Sequence, residues 1–228
     1  MPTFRLLSYS LNERAPVWPG NPPSAKTEVV QAIARGDAAN TTLLHLFSHS
    51  GTHIDSPRHF NPAGVSGWQV PIERYIFFHP RIIPVPKPNG GLITLAELEP
   101  HRVQLADADL ALLLTGWSQY RTSDPARYSQ QGPLLHPAAA RWLMETFPKL
   151  KAVAIDAVSI GAPGYPKESV ETHQVLTGVG RTDGRYLLIV EDLRIDPDLH
   201  KASRIYALPL LIEGSDGSPC TIVAEFPD

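Results

Sequence analysis

Residues 41–60 read TTLLHLFSHSGTHIDSPRHF. The first eight are rich in apolar and β-branched side chains, which predicts a strand. That strand feeds directly into His49, His53, Asp55 and His59, grouped around Gly51 and Pro57. The cluster is therefore expected at a strand end. Imidazole nitrogen and carboxylate oxygen are a ligand set for Zn²⁺ or another divalent transition metal. Gly51 can take backbone angles that other residues avoid, which lets the chain curl until His49, His53 and Asp55 converge. Asp55 has two oxygens and can bridge two ions. The spacing also fits a loop of solvated histidines, and His45, His49 and His53 stand at helical spacing. Gly51, Pro57 and the β-branched Thr52 and Ile54 argue against the helix.

Outward from the cluster, residues 75–85 (YIFFHPRIIPV), 111–115 (ALLLT), 152–160 (AVAIDAVSI) and 186–193 (YLLIVEDL) are apolar runs of strand length. Residues 94–99, TLAELE, open with a Thr followed three residues later by Glu97, a capping box that predicts a short helix. Residues 136–147, HPAAARWLMETF, carry Pro137 at the start and strong helix formers after it. Near the C-terminus, IYALPLLIEG and SPCTIVAEF flank the turn residues Ser215, Asp216 and Gly217, a hairpin pattern. There is no internal repeat and no linker long enough to divide the chain. The expected fold is α/β, one domain over residues 1–228, with a mixed, largely antiparallel sheet and flanking helices.

With 228 residues, 43% of them hydrophobic and 19% charged, the chain can bury a substantial core. A net charge of −3 without a Lys/Arg run argues against a nucleic-acid partner or an acidic membrane surface. A single cysteine, Cys220, allows no disulfide within the chain, and no apolar stretch is long enough to span a membrane. The N-terminus lacks the basic then apolar pattern of a secretory signal, so a cytoplasmic location is expected. Nucleophilic hydrolase chemistry is poorly supported, since no G-x-S-x-G elbow occurs and Cys220 lies far in sequence from any histidine. Residues 178–184, GVGRTDG, lack the lysine of a phosphate-binding loop and read as a turn. Trp18, Phe47, Trp68 and Trp117 are candidates for an aromatic pocket wall or for core packing.

His49–His59, HSGTHIDSPRH, resembles the H-x-G-T-H-x-D-x-P-x-H motif of the cyclase family of metal-dependent hydrolases, which includes kynurenine formamidases and isatin hydrolases. Every fixed position is filled. The likeness extends over nearly the whole chain: to PVWPG (residues 16–20), to TGW (115–117), to IDAVSI (155–160), to His173 in ETHQVLTG, to Glu191 in LLIVEDL and to LPLLIEGSDGSP (208–219). The resemblance implies that His49, His53 and Asp55 hold one ion and that Asp55, His173 and Glu191 hold a second. It also implies that His59 carries the proton and that Trp18 lines the substrate pocket. Zn²⁺, as one or two ions, is the expected cofactor, with Mn²⁺ as the other option. An imidazole with an ordinary pKa near 6.5 suits that proton role.

The implied activity is hydrolysis of the amide bond of a small, aromatic amide, formamide or lactam by metal-activated water. The implied fold is the family's swivelling β/β/α domain, assembled as a homodimer or larger homo-oligomer. The chain departs from the kynurenine formamidase pattern at Asn21, in GAPGYPKES (161–169) and in a longer stretch between His173 and Glu191. Gln174 offers an amide oxygen beside His173 as an alternative ligand. A lactonase or dehydratase with the same centre, and a non-catalytic metal-containing binding protein, are the competing readings. An intact His59 favours the enzyme.

Overall fold

A computed structural model describes residues 1–228. In chain order its strands are β1 (Thr3–Leu6), β2 (Ala25–Gln31), β3 (Thr41–Leu46), β4 (His53–Asp55), β5 (Ile76–Phe77), β6 (Pro80–Pro84) and β7 (Gly91–Ile93). They continue as β8 (Leu110–Leu114), β9 (Pro133–Leu135), β10 (Ala152–Ile155), β11 (Leu188–Glu191), β12 (Arg204–Pro209) and β13 (Gly217–Phe226). The helices are α1 (Leu95–Leu98), α2 (Arg102–Leu105), α3 (Tyr120–Ser123), α4 (Pro125–Gln130), α5 (Pro137–Thr146) and α6 (Pro166–Leu176).

Nine strands form one mixed sheet in the order β5-β12-β13-β4-β11-β10-β8-β6, with β1 beside β13. Strands β6, β8, β10 and β11 run parallel to one another. From β11 through β4, β13 and β12 to β5 every pairing is antiparallel. The expected α/β fold with a mixed sheet is observed, and the antiparallel character belongs to one half of it.

The parallel half follows from its apolar runs. In β8, Ala111 and Leu113 enter one core cluster, while Leu110 and Leu112 enter the other. Both faces of the strand are therefore covered, as parallel strands require. Each fully buried Leu contributes roughly 1.5–3 kcal/mol relative to an exposed one. Helix α5 buries Ala139, Ala140, Leu143 and Met144 on this sheet, and His136 caps it by accepting from the Ala138 N–H. Helix α1 begins at the expected capping box of Thr94 and Glu97.

Several expectations are corrected. Residues 75–85 are not one strand: β5 and β6 lie at opposite ends of the sheet. The Asp109 carboxylate accepts from the Phe78 and His79 N–H groups between them, giving the break its own hydrogen-bond partner. Strand β10 stops at Ile155, because the next residue, Asp156, turns its carboxylate onto the N–H groups of Thr115 and Gly116. Strand β3 does not enter the main sheet. It pairs only with β2 in a two-stranded ribbon, and the chain turns through residues 47–52 before returning as β4.

Candidate metal centre and pocket

Strand β4 lies where the parallel half meets the antiparallel half, paired to β11 on one side and β13 on the other. Ile54 packs into the core on one face, so His53 and Asp55, its neighbours, project from the other. In the antiparallel register with β11, Glu191 stands opposite His53 and Asp55 opposite Ile189. The three polar side chains thus share one face beyond the carboxyl ends of the parallel strands, the usual place for a ligand in an open α/β sheet. His53 and Asp55 belong to a central strand, not to a loop at a strand end as the sequence suggests.

His49 comes from the turn before β4. Gly51 makes that turn possible: its φ is +59°, and a Cβ there would meet the Leu11 side chain at Cδ2. Gly217 matters equally, because a Cβ on it would stand 2.8 Å from His49 Cε1 and 2.9 Å from the Ile54 carbonyl. His59 ends a single 3₁₀ turn opened by Pro57. His173 rides on α6, a helix for which the sequence reading assigns no element. Gln174 is exposed on the outer side of that helix and does not reach the site.

Hydrogen bonds fix two histidines as nitrogen donors to the cavity. His53 Nδ1 donates to the Gly51 carbonyl at 2.7 Å, and His173 Nδ1 donates to the Ser169 carbonyl at 2.7 Å. A carbonyl only accepts, so Nδ1 carries a proton in each ring and Nε2 is the nitrogen turned toward Glu191. His53 Nε2 is 3.1 Å from Glu191 Oε2 and 3.5 Å from Asp55 Oδ1, yet makes no well-aligned hydrogen bond. His173 Nε2 is 3.5 Å from Glu191 Oε1. Glu191 is itself aimed by the Ser159 hydroxyl at 2.9 Å and the Ile160 N–H at 2.6 Å, both donating to Oε1.

Burial works against the Glu191 carboxylate, but the two imidazoles outweigh it and hold its pKa well below the ordinary range. Asp55 is likewise held down, by His59 and His49 against its burial. His53 Nε2 and Asp55 Oδ2 are both buried without a hydrogen-bond partner. Buried polar atoms rarely remain unpaired, and these two belong to residues of one nitrogen and oxygen donor set. The residues fit a divalent cation. Two overlapping sets, His53/Asp55/Glu191 and His49/Asp55/His59, each have ligand atoms within 4.8 Å of one another, and Asp55 is common to both.

His49 differs from the other two buried rings. Its Nδ1 meets Asp55 Oδ1 at 2.8 Å and its Nε2 meets Asp216 Oδ2 at 2.8 Å. Burial disfavours its charge, but the two carboxylates prevail and raise its pKa to about 10. The same Asp216 oxygen lies 3.2 Å from His59 Nδ1, and the two rings stack with centroids 3.7 Å apart. His59 Nε2 is left 3.9 Å from Asp55 Oδ2. Asp216 is the polar residue of the site that sequence reasoning missed. It reads as a turn residue between Ser215 and Gly217, and only its position in the longer LPLLIEGSDGSP resemblance marked it.

Above these groups is a cavity of about 360 Å³. Trp18, Phe47, Phe60, Val158 and Val170 line it together with the histidines and Glu191. Phe60 stacks on the His173 ring at 4.5 Å. Of the four aromatic candidates, Trp18 and Phe47 are therefore wall. Trp117 is fully buried core and Trp68 is 54% exposed.

The family model described as "Putative cyclase" matches residues 6–162, a stretch that includes His49, His53, Asp55 and His59. The chain belongs to the cyclase family of metal-dependent hydrolases. Over 226 residues this cyclase-family chain is 28% identical to a kynurenine formamidase of Maricaulis maris, covering 95% of each chain. A kynurenine formamidase of Geobacillus thermodenitrificans is also 28% identical, over 93% of this chain and 92% of its own. The fold matches isatin hydrolase A of Labrenzia aggregata with a TM-score of 0.81 at 20% identity, over 100% of this chain and 94% of that one. No helix is long and apolar enough to cross a membrane.

Proposed function

We propose that this protein hydrolyses the amide bond of a small aromatic amide, formamide or lactam at a centre of one or two Zn²⁺ ions. The observation that carries this reading is the pair of unpartnered buried ligand atoms, His53 Nε2 in the lining of an aromatic-walled cavity and Asp55 Oδ2 in the same cluster behind it. The full-length kynurenine formamidase relatives support the bond type, and the isatin hydrolase fold supports the lactam option. His53, Asp55, His173 and Glu191 would hold the metal. His49 would join through Nδ1, with Asp216 retaining the Nε2–H and orienting the ring. When bound, the ion supplies Lewis acidity and a water acidified to near neutral pH.

The remaining steps belong to the chain's own side chains. Trp18, Phe47 and Phe60 enclose an aromatic group and exclude bulk water from the base of the cavity. His59 donates Nδ1–H to Asp216, which leaves Nε2 turned toward Asp55 to accept a proton and return it to the departing nitrogen. Metal content of the purified protein and a hydrolysis screen over formanilides, lactams and lactones test the reading, with His59→Ala beside wild type. Activity with formanilides or lactams that a chelator abolishes and His59→Ala loses is expected. Chelator-resistant activity, or turnover of lactones alone, refutes it.

The protein is also proposed to associate with itself. In the β2–β3 ribbon, the paired residues Ala25/Leu46, Thr27/Leu44 and Val29/Thr42 share one uncharged face, while Lys26, Glu28 and His45 occupy the other. Val29 and Leu44 are more than half exposed. An alternating pattern of this kind suits a strand pair with one buried face, and an uncharged face meets a second copy without repulsion. Leu44→Glu should lower the mass measured by light scattering; an unchanged mass would count against this surface.

A further inference from the structure

Directly after Glu191 comes the one non-glycine residue with a left-handed backbone, Asp192, at φ +51°. Its carboxylate is buried and saturated. Arg121 donates to it through Nε and Nη2, both at 2.7 Å, and the Tyr128 hydroxyl donates at 2.6 Å. The guanidinium is covered by the Tyr9 ring, 3.9 Å from its centroid. A buried ion pair of this kind adds little net stability compared with packed apolar groups, so stability alone gives no reason for it. Its geometric effect is specific.

The main chain of Asp192 is tied on both sides. Its N–H donates to the Ala157 carbonyl at 2.8 Å, and its carbonyl accepts from the Thr52 hydroxyl at 2.7 Å. That same hydroxyl accepts from the Tyr9 N–H at 2.9 Å. Thr52 precedes His53 as Asp192 follows Glu191, and His53 and Glu191 face each other across the β4–β11 pairing. The link therefore closes the end of the ladder next to the two candidate ligands. With the carboxylate released, a left-handed L-residue is disfavoured by about five- to thirtyfold.

We infer that Arg121, acting through Asp192, is a positioning residue for the metal centre: the clamp holds the left-handed turn that registers Glu191 against His53. Neither Arg121 nor Asp192 touches the cavity itself. The inference rests on the metal reading proposed above.

Asp192→Ala and Asp192→Gly provide the test, because both leave Arg121 equally unpaired and differ in their tolerance of φ +51°. Metal-stripped proteins are titrated calorimetrically with ZnCl₂ alone, and their melting temperatures are recorded. Asp192→Ala is expected to bind Zn²⁺ about tenfold more weakly than wild type, with Asp192→Gly recovering most of that loss at a similar melting temperature. Equal affinities for the two variants, or a folded Asp192→Ala with wild-type affinity, overturn the inference. Should neither fold, Thr52→Val and Thr52→Ser probe the same link: Val is expected to weaken Zn²⁺ binding while Ser preserves it, and identical affinities overturn it. Wild-type protein that binds no Zn²⁺ overturns this inference and the metal reading together. Tight wild-type binding with indistinguishable variants overturns this one alone.

Discussion

Asp216→Asn isolates the carboxylate that joins His49 to His59. The substitution keeps the side chain's shape and removes its charge. One oxygen of Asp216 receives both rings, at 2.8 Å from His49 Nε2 and 3.2 Å from His59 Nδ1. A hydrogen bond to a charged group is worth roughly 1.5–3 kcal/mol against 0.5–1.5 for a neutral one, so two weakened bonds cost about 2 kcal/mol. That corresponds to about thirtyfold in rate. The Asp216 side chain is 40% exposed, and solvent screening reduces the figure to about tenfold at the lower end. Steady-state kinetics on whichever formanilide or lactam the protein hydrolyses should show kcat reduced by roughly 10- to 30-fold, with KM nearly constant, because Asp216 is not among the residues lining the cavity. Combined with His59→Ala, the loss should be well short of multiplicative, since both changes disable one proton path. An unaltered kcat, or a double variant showing the full product of both losses, would refute the assignment of Asp216 as the orienting partner of His59.

Gly51→Ala should lower stability by roughly 1–2 kcal/mol in urea unfolding, the cost of a left-handed alanine, with the part-buried Leu11 side chain swinging aside; a midpoint equal to wild type would contradict the turn geometry. Cys220 is buried, and burial followed by the nearby Asp55 charge raises its thiol pKa far above the usual value. It should therefore resist a thiol reagent in the native protein and react at once in denaturant, and rapid native labelling would place it elsewhere. In metal-stripped protein, His49 has its pKa raised from 6.5 to about 10. The stabilisation linked to its proton is thus complete below about pH 6.5 and disappears as pH rises through about 10. The melting temperature of wild type relative to His49→Gln should decline across that window, and a flat or rising difference contradicts the two carboxylate contacts.

Different parts of the site were legible to different degrees, for reasons visible in single residues. His49, His53, Asp55 and His59 lie within eleven positions of one another, so a local pattern carries them. His53 and Asp55 could also have been placed on one strand face from their two-residue spacing around the apolar Ile54. His173 was legible through resemblance alone. The Gly and Pro residues of 161–164 conceal the helix that Pro166 begins, and only that helix turns His173 inward while Gln174 points out. Asp216 was harder still, because an aspartate between Ser and Gly is explained by backbone preferences, and the turn reading leaves nothing for the carboxylate to account for. Glu191 depends on register. It faces His53 because β11 and β4 pair at that position, and a slip of one residue would turn its carboxylate to the opposite face of the sheet. The sequence specifies that register through distant partners: Ile54 and Val190 buried as a cross-strand pair, and Thr52 bonded to Asp192 beyond them. Half of the centre is therefore encoded in a contiguous motif, and the other half in the pairing of strands more than a hundred residues apart, where no local pattern can reveal it.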